Sequence, residues 1–440
     1  MATAGAPADV TAGNPANLPA RVDGRSTFGG VVRSREFRWL WLADGQSLLG
    51  DQLARVALTI LVYDGTGSAL ATAGAYALTF LPALAGNLAL GPVADRLAPR
   101  SVLVGGDLVR AGLLAAMAMP HVPIPALMVL LTVTVFIGAP WHAAETALVA
   151  DLVAEQDFAL GLGLRTATLQ GAQLVGFAAG GLAVDLLGAR TALGLDAASF
   201  AASAIVIRIG LRARPAGYTH TSAHDNPAHH DNPAHHETNA HGHAESKRFG
   251  HIRAVLRDRR LRTLLGFSWL LGLLVVPEGV AAPFAHVLRA GPAVVGLLLA
   301  AGPAGVLVGS VVFSRWFSGS ARADLVGPLA VVSGLPLVAS AFSANLPAIL
   351  VLWALSGAAT GYHIQVVAEY VLSLGPGGRV QGLGLLSAGL LAAQGLGLLA
   401  GGALSQWIGP AVAIGAAGAC ASTAAVFLTM SRSRAAAAAA

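Results

Sequence analysis

Charged side chains are scarce in this sequence. Asp, Glu, Lys and Arg make up 11% of its 440 residues, against about a quarter in an average soluble domain. A chain so poor in charge cannot cover a globule with hydrated groups, which excludes an ordinary soluble fold and an extended disordered one. Lysine is nearly missing: Lys247 is the single example, so the net charge of +5 is carried by arginine. One cysteine, Cys420, has no partner for an intrachain disulfide or a cysteine metal cluster. Residues 1–27 contain no apolar stretch, so a cleavable signal peptide is not expected. No phosphate-binding loop and no nucleophile motif stands in a polar segment. Gly395-Leu-Gly397 opens like a dinucleotide fingerprint but lies inside an apolar run, and His142-Ala-Ala-Glu145 is only a weak ligand pair. Enzymatic chemistry and nucleotide-driven work therefore have little support, and no cofactor is expected.

What the chain has is apolar length. Its composition is 55% hydrophobic and its mean hydropathy is +0.67. The apolar residues come in runs long enough to cross a hydrocarbon layer of about 30 Å, which takes about 20 helical residues. This predicts an all-α polytopic membrane protein. Twelve spans are expected, near 37–63, 69–91, 101–119, 124–150, 158–187, 189–210, 261–289, 292–315, 323–343, 346–372, 380–408 and 409–430. Residues 1–36 read as a disordered N-terminus, 211–260 as a polar central loop and 431–440 as an Ala-rich tail. Arginine sets the orientation. Arg33, Arg35 and Arg38 precede the first span, Arg96 and Arg100 follow the second, and Arg208 to Arg262 crowd the central loop. Arg315, Arg322, Arg379, Arg432 and Arg434 fall on the same side, and only Arg190 and Arg289 on the other. The positive-inside rule puts both termini and the central loop in the cytoplasm, in the cell membrane, and leaves no reason to invoke nucleic acid.

The chain also repeats itself. Gln173-Leu-Val-Gly176-Phe-Ala-Ala-Gly180-Gly181 returns as Gln394-Gly-Leu-Gly397-Leu-Leu-Ala-Gly401-Gly402, and the same offset carries Gly188 onto Gly409. Two six-span halves, 37–210 and 261–430, explain this economically, with the glycines letting helix backbones pack closely. Between the second and third spans lies Gly91-Pro-Val-Ala-Asp95-Arg96-Leu-Ala-Pro-Arg100. An acid and two arginines bracketed by Gly and Pro must surface there and turn back.

Twelve spans in two halves with this charged hinge resemble the major facilitator superfamily. Gly91, Asp95, Arg96 and Arg100 match its signature, with Ala98-Pro99 replacing the usual glycine. The pieces FRWLWLADGQSLLGDQLARVAL, VYDGTGSALA, GDLVRAGLLA, LGLDAASFAASA and LRDRRLRTLL are similar to the branch containing enterobactin-type siderophore exporters and macrolide-efflux transporters. The resemblance implies a monomeric rocker-switch exporter driven by proton antiport, with a central cavity between the halves. It further implies that Gly91, Asp95, Arg96 and Arg100 form a conformational latch. One departure stands out: the drug-antiporter motif of span 5 has Gly-Pro where this chain has Gly176-Phe177.

Charges inside spans cost about 2.5–3.5 kcal/mol each and ask for a partner or water. Asp44, Asp107, Glu145 and Arg165 lie about 8–11 Å in from the cytoplasmic ends, and Arg110 about 14 Å in. They form either a proton-coupling or gating network, or a static one that fixes helix packing. Asp51 and Arg55, one turn apart, can pair along their own helix and share a cavity-lining face with Asp44. Glu278, beside the potential kink at Pro277, is a candidate proton carrier or an outer-mouth residue facing solvent. Gln173 and Gln394 are neutral cavity candidates or interhelical glue. The tryptophans read as interfacial anchors, except Trp141, a candidate stacking surface.

Nine of the thirteen histidines lie between His220 and His251, in a segment that contains Asp-Asn-Pro-Ala-His-His twice. His229, His230, His235, His236, His241 and His243 can bind zinc, nickel or copper weakly, or can simply belong to a low-complexity linker. The spacing is not that of a structural zinc site. Three functions follow from the sequence: proton-coupled export of a siderophore-like or drug-like molecule, transport of a metal ion or chelate, and, least supported, a membrane enzyme.

Overall fold

The structure is a computed structural model, and it describes residues 34–94, 96–152, 158–214, 253, 255–374 and 378–437. Asp95, the N-terminus before residue 34 and the six histidines from His229 to His243 lie outside the described residues, as does the side chain of Arg165.

All the described elements are helices. The N-terminal half contains α1 (Arg35–Thr66), α2 (Ala69–Ala77), α3 (Leu81–Ala94), α4 (Pro99–Ala118), α5 (Ile124–Leu152), α6 (Phe158–Leu187) and α7 (Ala189–Gly210). The C-terminal half contains α8 (Arg259–Trp269), α9 (Leu271–Leu274), α10 (Val276–Gly279), α11 (Ala281–Val287), α12 (Pro292–Trp316), α13 (Gly319–Ser340), α14 (Leu346–Ala359), α15 (Tyr362–Ser373), α16 (Arg379–Ile408) and α17 (Pro410–Ala437). Pairing α2 with α3, α8 through α11, and α14 with α15 gives twelve membrane-crossing segments in two six-membered bundles. Eleven of them are long and apolar enough to cross a membrane by length and composition. The twelfth, α1, is long enough, but Asp44, Gln46, Asp51, Gln52 and Arg55 lower its hydropathy. Helix α17 runs on to Ala437 rather than stopping near 430, because its tail is alanine, the strongest helix former.

The broken spans have local causes. Pro82 has no N–H to give and disfavours helix before it, so span 2 tightens into i→i−3 bonds, Thr79 to Tyr76 and Phe80 to Ala77. Pro277 does the same in span 7, where Glu278 N–H reaches Val275. In span 10 the break sits at Thr360–Gly361, where span 8 comes close: a Cβ on Gly361 would stand 3.2 Å from the Gly309 carbonyl.

The repeated glycines pack in a repeated way. A Cβ on Gly176 would meet Gln52 at 2.7 Å, and one on Gly180 would meet the Leu53 Cα at 3.0 Å, both on span 1. Their counterparts Gly397 and Gly401 face Gly272 and Val276 on span 7. Gly181 instead crosses to the other half, where a Cβ on it would stand 2.7 Å from the Gly296 Cα on span 8, while Gly402 crosses to Ala69 and Ala73 on span 2. Gly188 and Gly409 share one left-handed conformation, with φ of +84° and +86°. Span ends match as well. Gln406 Oε1 accepts from the Ala69 N–H at 2.8 Å and the Ser68 hydroxyl at 3.1 Å, capping span 2 from the opposite half. Asp185 stands at the corresponding place beside Gly291, at the start of span 8.

The apolar core shows how the halves meet. One cluster of buried side chains runs through both, from Val56, Tyr76 and Phe177 to Phe284, Val295 and Leu398. The other two stay within single halves: Phe37, Leu103 and Trp141 in the first, Leu264, Tyr362 and Tyr370 in the second. The halves are therefore fused at the end away from the chain termini and carry separate cores at the end where the termini lie. The tryptophans divide accordingly. Trp316 and Trp407 are exposed at span ends, but Trp353 is buried and stacks on Phe284 at 5.9 Å, so it is not an interfacial anchor. Trp141 is buried over Gly106 and offers no free stacking surface.

Candidate functional site

The charged residues of the N-terminal bundle converge where spans 1, 3 and 6 pack together. Arg110 on α4 donates to both oxygens of Asp51 on α1, at 3.2 and 3.3 Å. Its guanidinium carbon lies over the Phe200 ring of α7, 3.9 Å from the centroid. The expected pairing of Asp51 with Arg55 along α1 is not formed, since Arg110 reaches Asp51 from across the bundle. Arg55 turns the other way, over Phe80 at 5.7 Å.

Asp107 is fully buried and accepts a 2.6 Å hydrogen bond from the Ser203 hydroxyl of α7. Asp44 is buried in α1, and Glu145 is buried with His142 Nδ1 3.8 Å away, one turn earlier on α5. Among the described contacts, Arg110 holds Asp51, Asp107 accepts from a serine within reach of the Arg110 charge, and Glu145 has a histidine nearby. Asp196 on α7 completes the group and was not among the sequence candidates. It is buried, accepts from Ser199 at 3.1 Å, and feels the charges of Asp51 and Arg110. Gly50 makes room for it, because a Cβ there would collide with the Asp196 carboxylate and the Ser199 hydroxyl. The signal that could have found Asp196 is the one that found Asp51: a charge inside an apolar run.

Asp51, Arg55, Arg110, His142 and Asp196 line a cavity of about 160 Å³. Spans 1, 2, 3, 4 and 6 supply its lining, so this cavity lies within the N-terminal bundle. Its polar wall also includes Thr79, Asn87 and Thr134.

A second polar contact joins the halves. The Tyr76 hydroxyl of span 2 donates to Glu278 Oε2 of span 7 at 2.5 Å, with Arg55 close enough to act on both charges. Glu278 therefore meets the other half rather than a solvent-facing mouth. The break before Pro82 places Tyr76 and Phe80 on this surface, a link that the sequence did not reveal. Tyr63 of span 1 and His286 of span 7 also meet across the halves, packing edge to face at 5.5 Å.

The remaining candidates are dispersed. Gln173 and Gln394 are half-buried on α6 and α16. At the hinge, Gly91 lies within the last turn of α3 and Arg96 is exposed. Arg100 donates to the carbonyl of Arg208, so in this state it holds the end of span 6 within its own half. In the C-terminal bundle Glu369 pairs with Arg432 at 3.0 Å, and Ser268 lies 2.9 Å from His363 Nε2. Among the described residues, no group of three or more His, Cys, Asp or Glu side chains could hold a metal ion.

Comparison with known proteins places this geometry. The family model described as Major Facilitator Superfamily matches residues 40–280. No curated protein matches the sequence directly. Among solved structures, the fold is similar to a bacterial homologue of the human lysosomal transporter Spinster in an inward-facing and occupied conformation. The TM-score is 0.70 at 13% identity, covering 92% of this chain and 97% of that one. It is also similar to a POT family transporter in complex with a thioalcohol-conjugated peptide, with a TM-score of 0.68 at 10% identity over 90% and 96% of the two chains. The nucleoside transporter NupG aligns with a TM-score of 0.64 at 15% identity, covering 89% of this chain and 98% of its own.

Proposed function

The chain belongs to the major facilitator superfamily, and on that premise we propose that it is a proton-coupled exporter of a small organic molecule, working by alternating access. Membership makes it a multi-pass membrane transporter rather than an enzyme. The observation that carries the coupling is the Arg110–Asp51 ion pair in a cavity wall, with the Asp196 carboxyl within reach of the same guanidinium. A proton arriving on Asp51 frees Arg110, and only a group whose charge differs between two states can bias an equilibrium between them.

The export direction rests on the sequence resemblance, and the orientation agrees with it. The halves are fused at one end and separate at the end bearing the termini, which the arginine distribution assigns to the cytoplasm. An exporter resting in that state collects cargo from inside the cell. The siderophore-like or drug-like cargo, the action as a monomer and the latch role of Asp95, Arg96 and Arg100 rest on the sequence resemblance.

The test is efflux from vesicles holding the purified full chain under an imposed pH gradient, with a panel of siderophores and lipophilic drugs. Gradient-driven transport that Asp51→Asn abolishes is the expected result. Transport indifferent to the gradient would overturn the coupling. Transport that needs zinc or nickel together with residues 220–245 would replace the reading with metal handling.

A further inference from the structure

We propose that the arginine-rich start of span 7 is a docking site for the headgroups of anionic phospholipid. The inference goes beyond the transporter reading, since it depends on neither cargo nor proton coupling.

Residues 253–262 read Arg253-Ala-Val-Leu-Arg257-Asp258-Arg259-Arg260-Leu-Arg262, five arginines against one acid. All five arginines are exposed. The acid is committed elsewhere: Asp258 Oδ1 caps α8, accepting from the backbone N–H of Arg260 at 2.7 Å and of Leu261 at 3.2 Å. Among the described residues none of the five forms an ion pair. Arg262 donates to the Leu256 carbonyl at 3.3 Å, the one hydrogen bond that these guanidiniums make among the described residues.

Other arginines at span ends are partnered. Before span 1, Glu36 binds Arg214 at 2.8 Å and Arg212 at 3.4 Å. Arg432 pairs with Glu369, Arg100 donates to the Arg208 carbonyl, and Arg322 donates to the Ser314 and Phe317 carbonyls at 2.7 and 2.8 Å. At the start of span 7 positive charge is both dense and unpartnered.

The segment is fixed in place. Residues 253 and 255–257 are helical, and Val255 joins Leu261 and Leu264 in the buried core of the C-terminal half. Arg253 and Arg257 stand four residues apart, and Arg259 and Arg262 three, so each pair shares a helix face. Like charges at these spacings repel and weaken the helix. An anion between them removes that cost, and guanidinium forks match phosphate oxygens two at a time.

Depth selects the anion. Span 7 is apolar enough to cross a membrane from Arg259 onward. At about 1.5 Å per residue, Arg262 lies only about 5 Å along the span, so the cluster sits in the headgroup layer, where phosphate is the neighbour. Leu256, 41% exposed within the cluster, offers the acyl chain an apolar contact. A zwitterionic headgroup brings its own cation, which the same arginines repel, so a net negative lipid is preferred. Each arginine near an anionic surface contributes roughly fivefold to association.

The experiment is native mass spectrometry of the full chain in mild detergent, titrated with phosphatidylglycerol and with phosphatidylcholine of identical acyl chains. Phosphatidylglycerol should bind about tenfold or more tightly. Arg259→Gln with Arg262→Gln should lower that preference about tenfold, as should Arg253→Gln with Arg257→Gln. Arg35→Gln with Arg38→Gln, at the corresponding end of span 1, should leave it unchanged. Equal binding of the two lipids, or a preference that survives glutamine at all five positions, overturns the proposal. Raising ammonium acetate should weaken the preference in the unaltered chain, and a preference indifferent to salt overturns the proposal without any variant. Displacement of the lipid by inorganic phosphate would make a free anion the ligand and overturn it too. So would a preference that emerges only on deleting residues 220–245, which would assign the arginines to the acids of that loop, Asp225, Asp231, Glu237 and Glu245. Efflux enters none of these outcomes, so failure here leaves the exporter reading standing.

Discussion

Arg110 is held on two sides, by the Asp51 carboxylate and the Phe200 ring, and the Asp196 carboxyl lies within reach of its charge. Truncating one partner of such a pair leaves the other charge stranded, so single substitutions should cost more than the pair is worth. Asp51→Asn and Arg110→Gln should each lower the thermal unfolding midpoint, and the double variant should recover part of the loss. A coupling of about 1–3 kcal/mol in the double-mutant cycle is expected; additive losses would mean that the two side chains are neighbours without being partners. At this scale the sequence was half legible. The cost of a charge in hydrocarbon marked Asp44, Asp51, Arg55, Asp107, Arg110 and Glu145. It applied equally to Asp196, which sits in an apolar run with small neighbours and was read only as part of a family resemblance. Tyr76 and Phe200 gave no signal, because an aromatic inside an apolar run looks the same whether it faces lipid, core or a guanidinium. Which carboxylate Arg110 would choose depended on which spans become neighbours, and spacing along one helix cannot supply that.

Elements were more legible than their contacts. Apolar length fixed most span ends to within a few residues, and Pro277 marked one of the three broken spans, while Pro82 went unread. Chemistry sets where the breaks fall, and the breaks put Tyr76, Phe80 and Glu278 on one surface. The glycine repeat was visible as a pattern, but not the division of labour within it. Gly176 and Gly180 pack inside their own half, and the next residue, Gly181, packs across to Gly296. With lipid on the outside there is little hydrophobic drive between spans, so close backbone approach carries the crossing. Gly181→Leu should therefore cost about 1–3 kcal/mol by overpacking and reduce transport, whereas Gly105→Leu, with open space where its side chain would point, should do neither. Thermal stability of the two variants in matched detergent checks this, and equal behaviour would remove the crossing as a constraint.

For the whole molecule, the arrangement amounts to two bundles that share a core at one end only. The joint is made of parts that separate without exposing a charge: glycine backbones on spans 5 and 8, Ala69 and Ala73 of span 2 against Gly402 of span 11, and the Gln406 cap at Ser68–Ala69. Within it, Tyr76 to Glu278 is the contact whose strength depends on chemistry rather than shape, and Arg55 ties it to the cavity in which Asp51 and Arg110 sit. A change of charge in the cavity thus has a short physical route to the joint. Removing the hydrogen bond with Tyr76→Phe takes away about 1–3 kcal/mol from this state, enough to move the ratio of closed to open joint roughly fivefold or more. Spin labels attached through Asp64→Cys and Arg289→Cys, in a Cys420→Ser background, should then report a larger share of long distances than in the parent protein. Glu278→Gln should do the same if the carboxyl is what holds the tyrosine. A distance distribution unmoved by either change would mean that glycine packing alone holds the halves together. In that case the coupling between the cavity and the joint would have to run through the span 5 and span 8 crossing instead.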